Sequence, residues 1–324
     1  GLLCACLPTE HDVGLPFHLN ADFFTTNDRK RIIFSGDYQT EWNREALRAA
    51  ARALAEALDR LPDLLGRQRL WELLTILQEI YKKASEGRSE QVLGEFWNLV
   101  APKLRTAAII PTTKSNWTTA GKARLLLQQN ESNAIGVLEY LGIPVVHEEL
   151  RPYQNLLRSE QVGVDVLDVR TVCTALADRG LNRRVKLSEL PRGLASRSNL
   201  TALWAEIAIL LQRQQRTARA RAEDEDHLRE IALAPGRDGA VWPCNEIYHA
   251  DHATIALFES LGVGIPFVAS DGEFQSLEIL CRTFDAATAI QELSQIDAEK
   301  LGSLWKDKRL PLKQLFAWFD NRRQ

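Results

Sequence analysis

The chain has 324 residues, 45% of them apolar, and a formal net charge of -3. That length accommodates about two domains of ordinary size, with real hydrophobic cores, and the near-neutral charge does not suggest a nucleic-acid binder, which usually shows a basic domain or stripe. No apolar run in the sequence approaches the ~20 residues that span a bilayer and no charged-then-apolar leader is present, so neither nucleic acid nor membrane is an expected partner.

Residues 2 to 7 read as a first strand with Cys4 and Cys6 on one face, and "PTEHDVG" as a loop. "LPFHLNADFF" reads as a second strand, in which Phe17, Leu19 and Ala21 alternate with His18, Asn20 and Asp22. A turn loaded with Asn27, Asp28, Arg29, Lys30 and Arg31 follows. Taken alone it is a solvated turn as readily as a site for something negative. A helix is then predicted from Glu41 to Leu61, with Thr40 as N-cap and Glu41 favourable in the first turn. Trp42, Leu47, Ala50, Leu54 and Leu58 form its apolar stripe, and Pro62 ends it. A second helix is expected over 67–84, with Leu70, Leu73, Leu74, Leu77 and Tyr81 buried, and a third over 91–104, broken by Pro102.

From there the chain repeats itself. "AAIIPTTKSNWTTAGKARLL…NAIGVLEYLGIPVV" (107–146) and "IALAPGRDGAVWPCNEIYHA…ATIALFESLGVGIPFV" (231–268) share an ordered set of features. Each has a strand closed by Pro111 or Pro235, then Trp117 or Trp242, then a helix ending in Leu141-Gly142 or Leu261-Gly262. The glycines suit left-handed C-caps, and Ile143-Pro144 or Ile265-Pro266 opens each exit strand. Such ordered self-similarity signals duplication. Between the copies a helical stretch is expected over 171–211, interrupted by Pro191. "RQQRTARARAEDEDHLRE" (213–230), basic then acidic, reads as a solvated helix end or linker. In the tail, Leu304, Leu312, Leu315, Phe316 and Phe319 are expected to pack.

Cys4, Cys6, Cys173, Cys244 and Cys281 are odd in number and irregularly spaced, which reads as reduced thiols in a cytoplasmic protein. On that reading the glycosylation-like triplets at Asn116, Asn130 and Asn199 are without meaning. The chain starts at Gly1 and contains no methionine, so it is expected to be a piece of a longer protein.

Chemistry motifs are sparse. The chain has no Gly-x4-Gly-Lys-Ser/Thr loop, no Gly-x-Gly-x-x-Gly and no nucleophile elbow. "PCNEIYHADH" offers Cys244, His249, Asp251 and His252 as metal ligands, but no second cysteine pair or His-x3-His completes the set. The expectation there is no metal, with Asp251 a helix cap and His249 a surface residue. Asp22, His18 and Asp37 read equally as an acid–base set or as a solvated sheet face.

One stretch carries a resemblance. Leu7-Pro8, Gly14-Leu15-Pro16-Phe17-His18-Leu19-Asn20-Ala21-Asp22-Phe23, Asn27-Asp28-Arg29 and Trp42-Asn43-Arg44-Glu45-Ala46-Leu47 stand in this order. The series resembles the segment that follows the nucleotide-binding domain in sacsin-like members of the Bergerat-fold (GHKL) ATPases, a group that includes the heat-shock-type chaperones. The resemblance covers 7–47, and the later Pro…Trp…Leu-Gly-Ile-Pro modules look like sacsin-type repeats more loosely. It implies that Arg29, or alternatively Arg31, reaches the γ-phosphate of ATP bound in a preceding domain of the same protein, with His18, Asn20 and Asn27 in supporting positions. ATP and magnesium then belong to the parent protein, none is expected in this chain, and the chain alone is not an active enzyme. The expected fold is α+β and helix-rich: a middle-domain-like module (1–105), then two strand–helix–strand repeat modules (106–225 and 226–324). The implied function is coupling of ATP state to conformation, with client proteins as further partners. A non-enzymatic scaffold and a metal-dependent enzyme at Cys244, His249 and His252 are the alternatives.

Overall fold

The computed structural model describes residues 1–87, 91–114, 116–126, 132–212, 217–295, 302, 306 and 309–322. Asn130 and Leu304 lie outside the described residues. The fold is α+β and helix-rich, with small two- and three-stranded sheets. Two compact units form, one from residues 1–128 with 144–166, the other from 129–143 with 167–324. Among the described residues no helix is long and apolar enough to cross a membrane.

The first unit opens with β1 (Leu2–Ala5), β2 (Leu7–Asp12) and β3 (Leu19–Asn20), in the order β2-β1-β3. The expected loop after Pro8 is therefore a strand. Cys6 turns the chain in the left-handed region, φ 60°, and Ala5 pairs directly with Leu7. No Gly or Asn marks this turn, so the hairpin signal is missing from the sequence. The expected long second strand shrinks to the two residues that pair in parallel with β1. Side chains replace the rest of the ladder: His18 Nδ1 accepts from the Leu2 N–H (3.1 Å) and Asn20 Oδ1 from the Cys6 N–H (3.1 Å).

Helix α1 (Tyr38–Ala57) is capped by Asp37, whose carboxylate accepts from the Gln39 N–H at 3.0 Å. Thr40, the expected cap, lies inside the first turn and is buried. Asp37 accepts the orphan N–H that defines a cap, and Glu41 sits in the first turn as expected. Leu47, Ala51, Ala55 and Leu58 face the core, but Trp42 is 55% exposed. Pro62 does not end a helix; it lies at the start of α2 (Leu61–Ser85), where its missing N–H costs nothing. A short 3-10 turn, Leu58–Arg60, joins the two helices. Inside α2, Gly66 (φ 73°, ψ 179°) kinks the axis, a backbone state open to glycine. Helix α3 (Gln91–Leu104) packs against α1 and α2 over Leu70, Trp71, Leu74, Trp97 and Val100, all nearly inaccessible. Each of these large side chains contributes about 1.5–3 kcal/mol by burial.

The duplication is a matter of backbone pairing. In the first copy β4 (Ile110–Pro111) pairs antiparallel with β5 (Trp117–Thr118), and β6 (Arg124–Leu125) runs parallel to β7 (Asp165–Val166). Helix α4 (Ser132–Tyr140) lies between them in sequence and belongs to the second unit. Helix α5 (Gln154–Leu157) and α6 (Val169–Ala177) follow. Past β8 (Val185–Lys186), α7 (Arg197–Gln212) and α8 (Ala218–Arg229), the second copy repeats the scheme. There β9 (Ala232–Pro235) pairs antiparallel with β10 (Ala240–Pro243). Next, β11 (Tyr248–His249) precedes α9 (His252–Ser260) and runs parallel to β12 (Arg282–Thr283), before α10 (Ala286–Ser294). The closing bridges correspond as well: Thr112 to Val146 and Gly236 to Val268 antiparallel, Arg124 to Val145 and Tyr248 to Phe267 parallel. Gly142 and Gly262 both adopt positive φ, 86° and 69°, as the left-handed C-cap requires.

Two tryptophans expected to match do not. Trp117 pairs with Pro111, whereas Trp242 pairs with Ala234, the residue before Pro235. They are one residue out of register, and in a strand one residue is the opposite face. The true equivalents sit on the preceding helices. Trp71 Nε1 donates to the Ile109 carbonyl (3.2 Å) and Trp204 Nε1 to the Leu233 carbonyl (3.1 Å), each two residues before the strand's proline. Trp71 packs near Tyr153 and Trp204 near Phe274.

In the second unit the helical stretch expected over 171–211 is interrupted around Pro191, as expected, but over a longer span, between α6 and α7, where β8 joins β10 to give the sheet order β8-β10-β9. Of the stretch read as a solvated helix end or linker, residues 213–216 lie outside the described residues, and the remainder contains the helix α8, capped by Thr217 and holding Leu228 fully buried. Helix α4 packs on α7, and α9 packs on α11 (Arg309–Asn321). In α11 Trp318 and Leu315 are buried while Phe316 is exposed, so Trp318 takes the place expected of Phe316. It meets Phe258 edge-on, beside Phe284.

Candidate functional site: a basic hairpin held by a buried asparagine

The basic turn is the tip of a β-hairpin. Thr25 bridges Ile32 antiparallel, the Ile33 N–H donates to the Phe24 carbonyl (3.2 Å), and the Thr26 N–H to the Arg31 carbonyl (2.9 Å). At the tip the Arg29 N–H closes a turn onto the Thr26 carbonyl at 2.8 Å. Asp28 organises it: its Oδ1 accepts from the Thr26 hydroxyl (2.6 Å) and the Lys30 N–H (3.1 Å). The Thr26 hydroxyl first, then the Lys30 N–H, hold the Asp28 carboxyl below its usual range.

Arg29 occupies the left-handed region, φ 57°. A non-glycine residue there costs roughly 1 kcal/mol or more, and it persists only where its surroundings over-determine it. Here the Asp28 turn and the two strands do so. The Arg29 side chain is exposed and makes no hydrogen bond or ion pair among the described residues. Arg31 is likewise exposed and unpaired among the described residues, and it lines a groove of about 850 Å³ beside the hairpin together with Arg44, Glu10, Asp12, Thr26 and Ser35. Lys30 pairs with Glu10 at 3.2 Å, and exposed Asn27 lies in the turn itself.

What holds the hairpin was not evident from the sequence. Asn43 is fully buried on α1. Its Oδ1 accepts from the Phe24 N–H (2.7 Å), and its Nδ2 donates to the carbonyls of Phe24 and Ile33, both at 2.8 Å. One side chain thus satisfies both strands. On the other side His11 Nδ1 accepts from the Ile32 N–H at 3.0 Å, and the Glu10 N–H donates to the Lys30 carbonyl at 3.0 Å. Trp42 Nε1 donates to the Asp22 carbonyl (2.7 Å) and its ring meets Phe24 edge-on. The available signal was a polar residue on the buried stripe of an amphipathic helix.

The structure therefore gathers Asn27, Arg29 and Arg31 on one hairpin, whereas His18 just before β3 and Asn20 within it have acceptor atoms committed to the Leu2 and Cys6 N–H groups. Asp37 is a helix cap and exposed Asp22 presents its carbonyl to Trp42. The other candidate set is dispersed among separate roles. Cys244 is wholly buried, and the neighbouring Cys281 thiol together with burial pushes its own thiol well above the usual range. His249 lies 3.6 Å from Glu278. Asp251 caps α9, accepting from the Thr254 N–H (2.8 Å) and from Arg322 (2.7 Å). His252 is exposed in the first turn of α9. Among the described residues no group of three or more His, Cys, Asp and Glu side chains converges.

Comparison with known protein families, curated proteins and solved structures finds no match to this chain.

Proposed function

We propose that the chain couples the nucleotide state of an ATP-binding domain elsewhere in its parent protein to conformation, in the manner of a sacsin-like chaperone ATPase, and that the basic hairpin is the coupling element. One observation carries this reading: an arginine held in a costly backbone state at a hairpin tip, unpaired among the described residues, on a hairpin clamped from the helix behind it by Asn43. Phosphoryl transfer to water requires positive charge on the γ-phosphoryl oxygens as the bond to the leaving group breaks. A guanidinium meets that need with a planar fork of donors and remains charged at any physiological pH. Supplied by a separate domain, the charge arrives only when the domains close, so hydrolysis reports closure. ATP and magnesium would be held by the nucleotide-binding domain, and the copies downstream would carry the motion to client proteins.

The test is ATP turnover by the full-length parent, wild type against Arg29→Ala and Arg31→Ala, with ATP binding measured in parallel. Retained binding with turnover lower by ~10³ or more for either variant is the expected result. Unchanged turnover in both would reduce the basic turn to a solvated surface and end the coupling reading.

A further inference from the structure

We infer that Cys244 and Cys281 are a redox pair, two thiols of the second copy that a hydroperoxide closes to a disulfide. The pair is independent of the coupling role proposed for the hairpin. Both thiols are free; Cys244 is completely buried and Cys281 retains 8% exposure. Cys244 opens the 3-10 turn Cys244–Glu246, which packs on β12, and Cys281 is the residue that leads into β12. The Arg282 N–H donates to the Ile247 carbonyl at 3.1 Å, so backbone pairing fixes the two segments side by side. The thiols are near enough to act on each other: Cys281, ahead of burial, raises the Cys244 thiol above its usual range.

The first copy shows that the fold does not require cysteine at these places. Val241 pairs with Pro235 as Trp117 does with Pro111, and Tyr248 pairs with Arg282 as Arg124 does with Asp165. Counted from either register, Ala120 stands at the place of Cys244. Counted from the second, Val164 stands at the place of Cys281. Ala120 and Val164 are both buried in one apolar cluster. A small apolar side chain thus meets the packing need at each position, and the second copy carries a thiol at both. A single buried thiol is inert packing, whereas two that neighbour each other can exchange electrons as a unit.

Cys281, the one with accessible surface, meets the oxidant first. Its sulfur attacks a peroxide oxygen: an S–O bond forms, the O–O bond breaks, and the departing oxygen takes up the thiol proton. The Cys244 sulfur then attacks the sulfenic sulfur. The S–S bond forms, the S–O bond breaks, and the hydroxide leaves with the Cys244 proton as water. Two thiols lose two electrons in all, and one peroxide gains them. Consumption of the Cys281 thiol also removes the chief group that keeps Cys244 protonated, which orders the steps. The ring so closed spans 244–281 and takes in β11 and α9, the helix on which α11 packs. Oxidation therefore stiffens the second copy by restricting its unfolded chain.

The test is hydrogen peroxide added to the purified, fully reduced chain, followed by peptide mapping without reductant and by thermal melts. A peptide joining Cys244 to Cys281, two hydrogens lighter than the reduced pair and released by dithiothreitol, is expected. The melting temperature should rise with it by roughly 5 °C or more. Cys244→Ala and Cys281→Val install the residues that the first copy carries, so both should fold, and peroxide should leave their melting temperatures unmoved. Absence of the joined peptide when exposed Cys6 is fully oxidised, its appearance only in the urea-unfolded chain, or an equal rise in melting temperature in the variants would each overturn the pair.

Discussion

Arg29 allows backbone and side chain to be tested apart. Arg29→Gly removes the guanidinium and also relieves the left-handed strain at φ 57°. It should leave stability unchanged or raised by up to about 1 kcal/mol, whereas Arg29→Val, β-branched at positive φ, should lower it by about 1 kcal/mol or more. Both should lose turnover in the parent, so thermal melts combined with turnover distinguish a strained structural residue from a functional one. Cys173 makes a second residue-scale case. Burial first, then Asp168, pushes its thiol up to about 12, from an ordinary value of 9.0. The unfolded chain therefore releases this proton first, and stability falls as pH rises from about 9 towards 12. The contribution has a ceiling of about 4 kcal/mol across that window. Urea midpoints at several pH values between 8 and 10.5 should fall less steeply in Cys173→Val than in wild type.

At the scale of elements, Asn43→Ala should cost about 2–4 kcal/mol, since it orphans the Phe24 N–H and the Ile33 carbonyl at once and takes from the Phe24 carbonyl one of its two donors. Amide exchange at Phe24 should accelerate with it. If the two copies are equivalent, Trp71→Phe and Trp204→Phe, which each strip one carbonyl of its donor, should cost similar amounts, about 1–2 kcal/mol by chemical denaturation. These elements also show what the sequence made legible. Helices with sustained apolar stripes, and the Leu-Gly and Ile-Pro punctuation of the copies, were readable because local periodicity and glycine chemistry set them. The β1–β2 hairpin was not, because its turn rests on Cys6 in a conformation that no turn residue advertises. The tryptophan register was not, because pairing partners decide which face a strand residue takes. Arg29 and Arg31 stood out in the sequence as candidates, but Asn43, which holds their hairpin, did not, since its role exists only once α1 lies against the hairpin.

At the scale of the whole molecule the chain passes between its two units three times, after residues 128, 143 and 166. A cut in sequence is thus not a cut in structure. A fragment ending at 128 lacks Leu150, Leu156 and Leu157, which are buried in the first unit's core, and Tyr153, which packs near Trp71. It should show weak near-ultraviolet dichroism and rapid proteolysis, whereas a fragment ending at 166 contains the whole first unit and should resist the protease everywhere except at 129–143, which belongs to the second unit.

Helix α4 turns that interlacing into a practical property. It lies on the 1–166 side of a break made between Val166 and Leu167, yet its partner α7 lies on the other side. The two halves should therefore behave as a split protein. Co-expressed as separate polypeptides, 1–166 and 167–324 should co-purify through a tag on either one, with α4 acting as a plug that α7 recaptures. Replacing the buried Val137 and Leu138 by Asp should abolish that complementation.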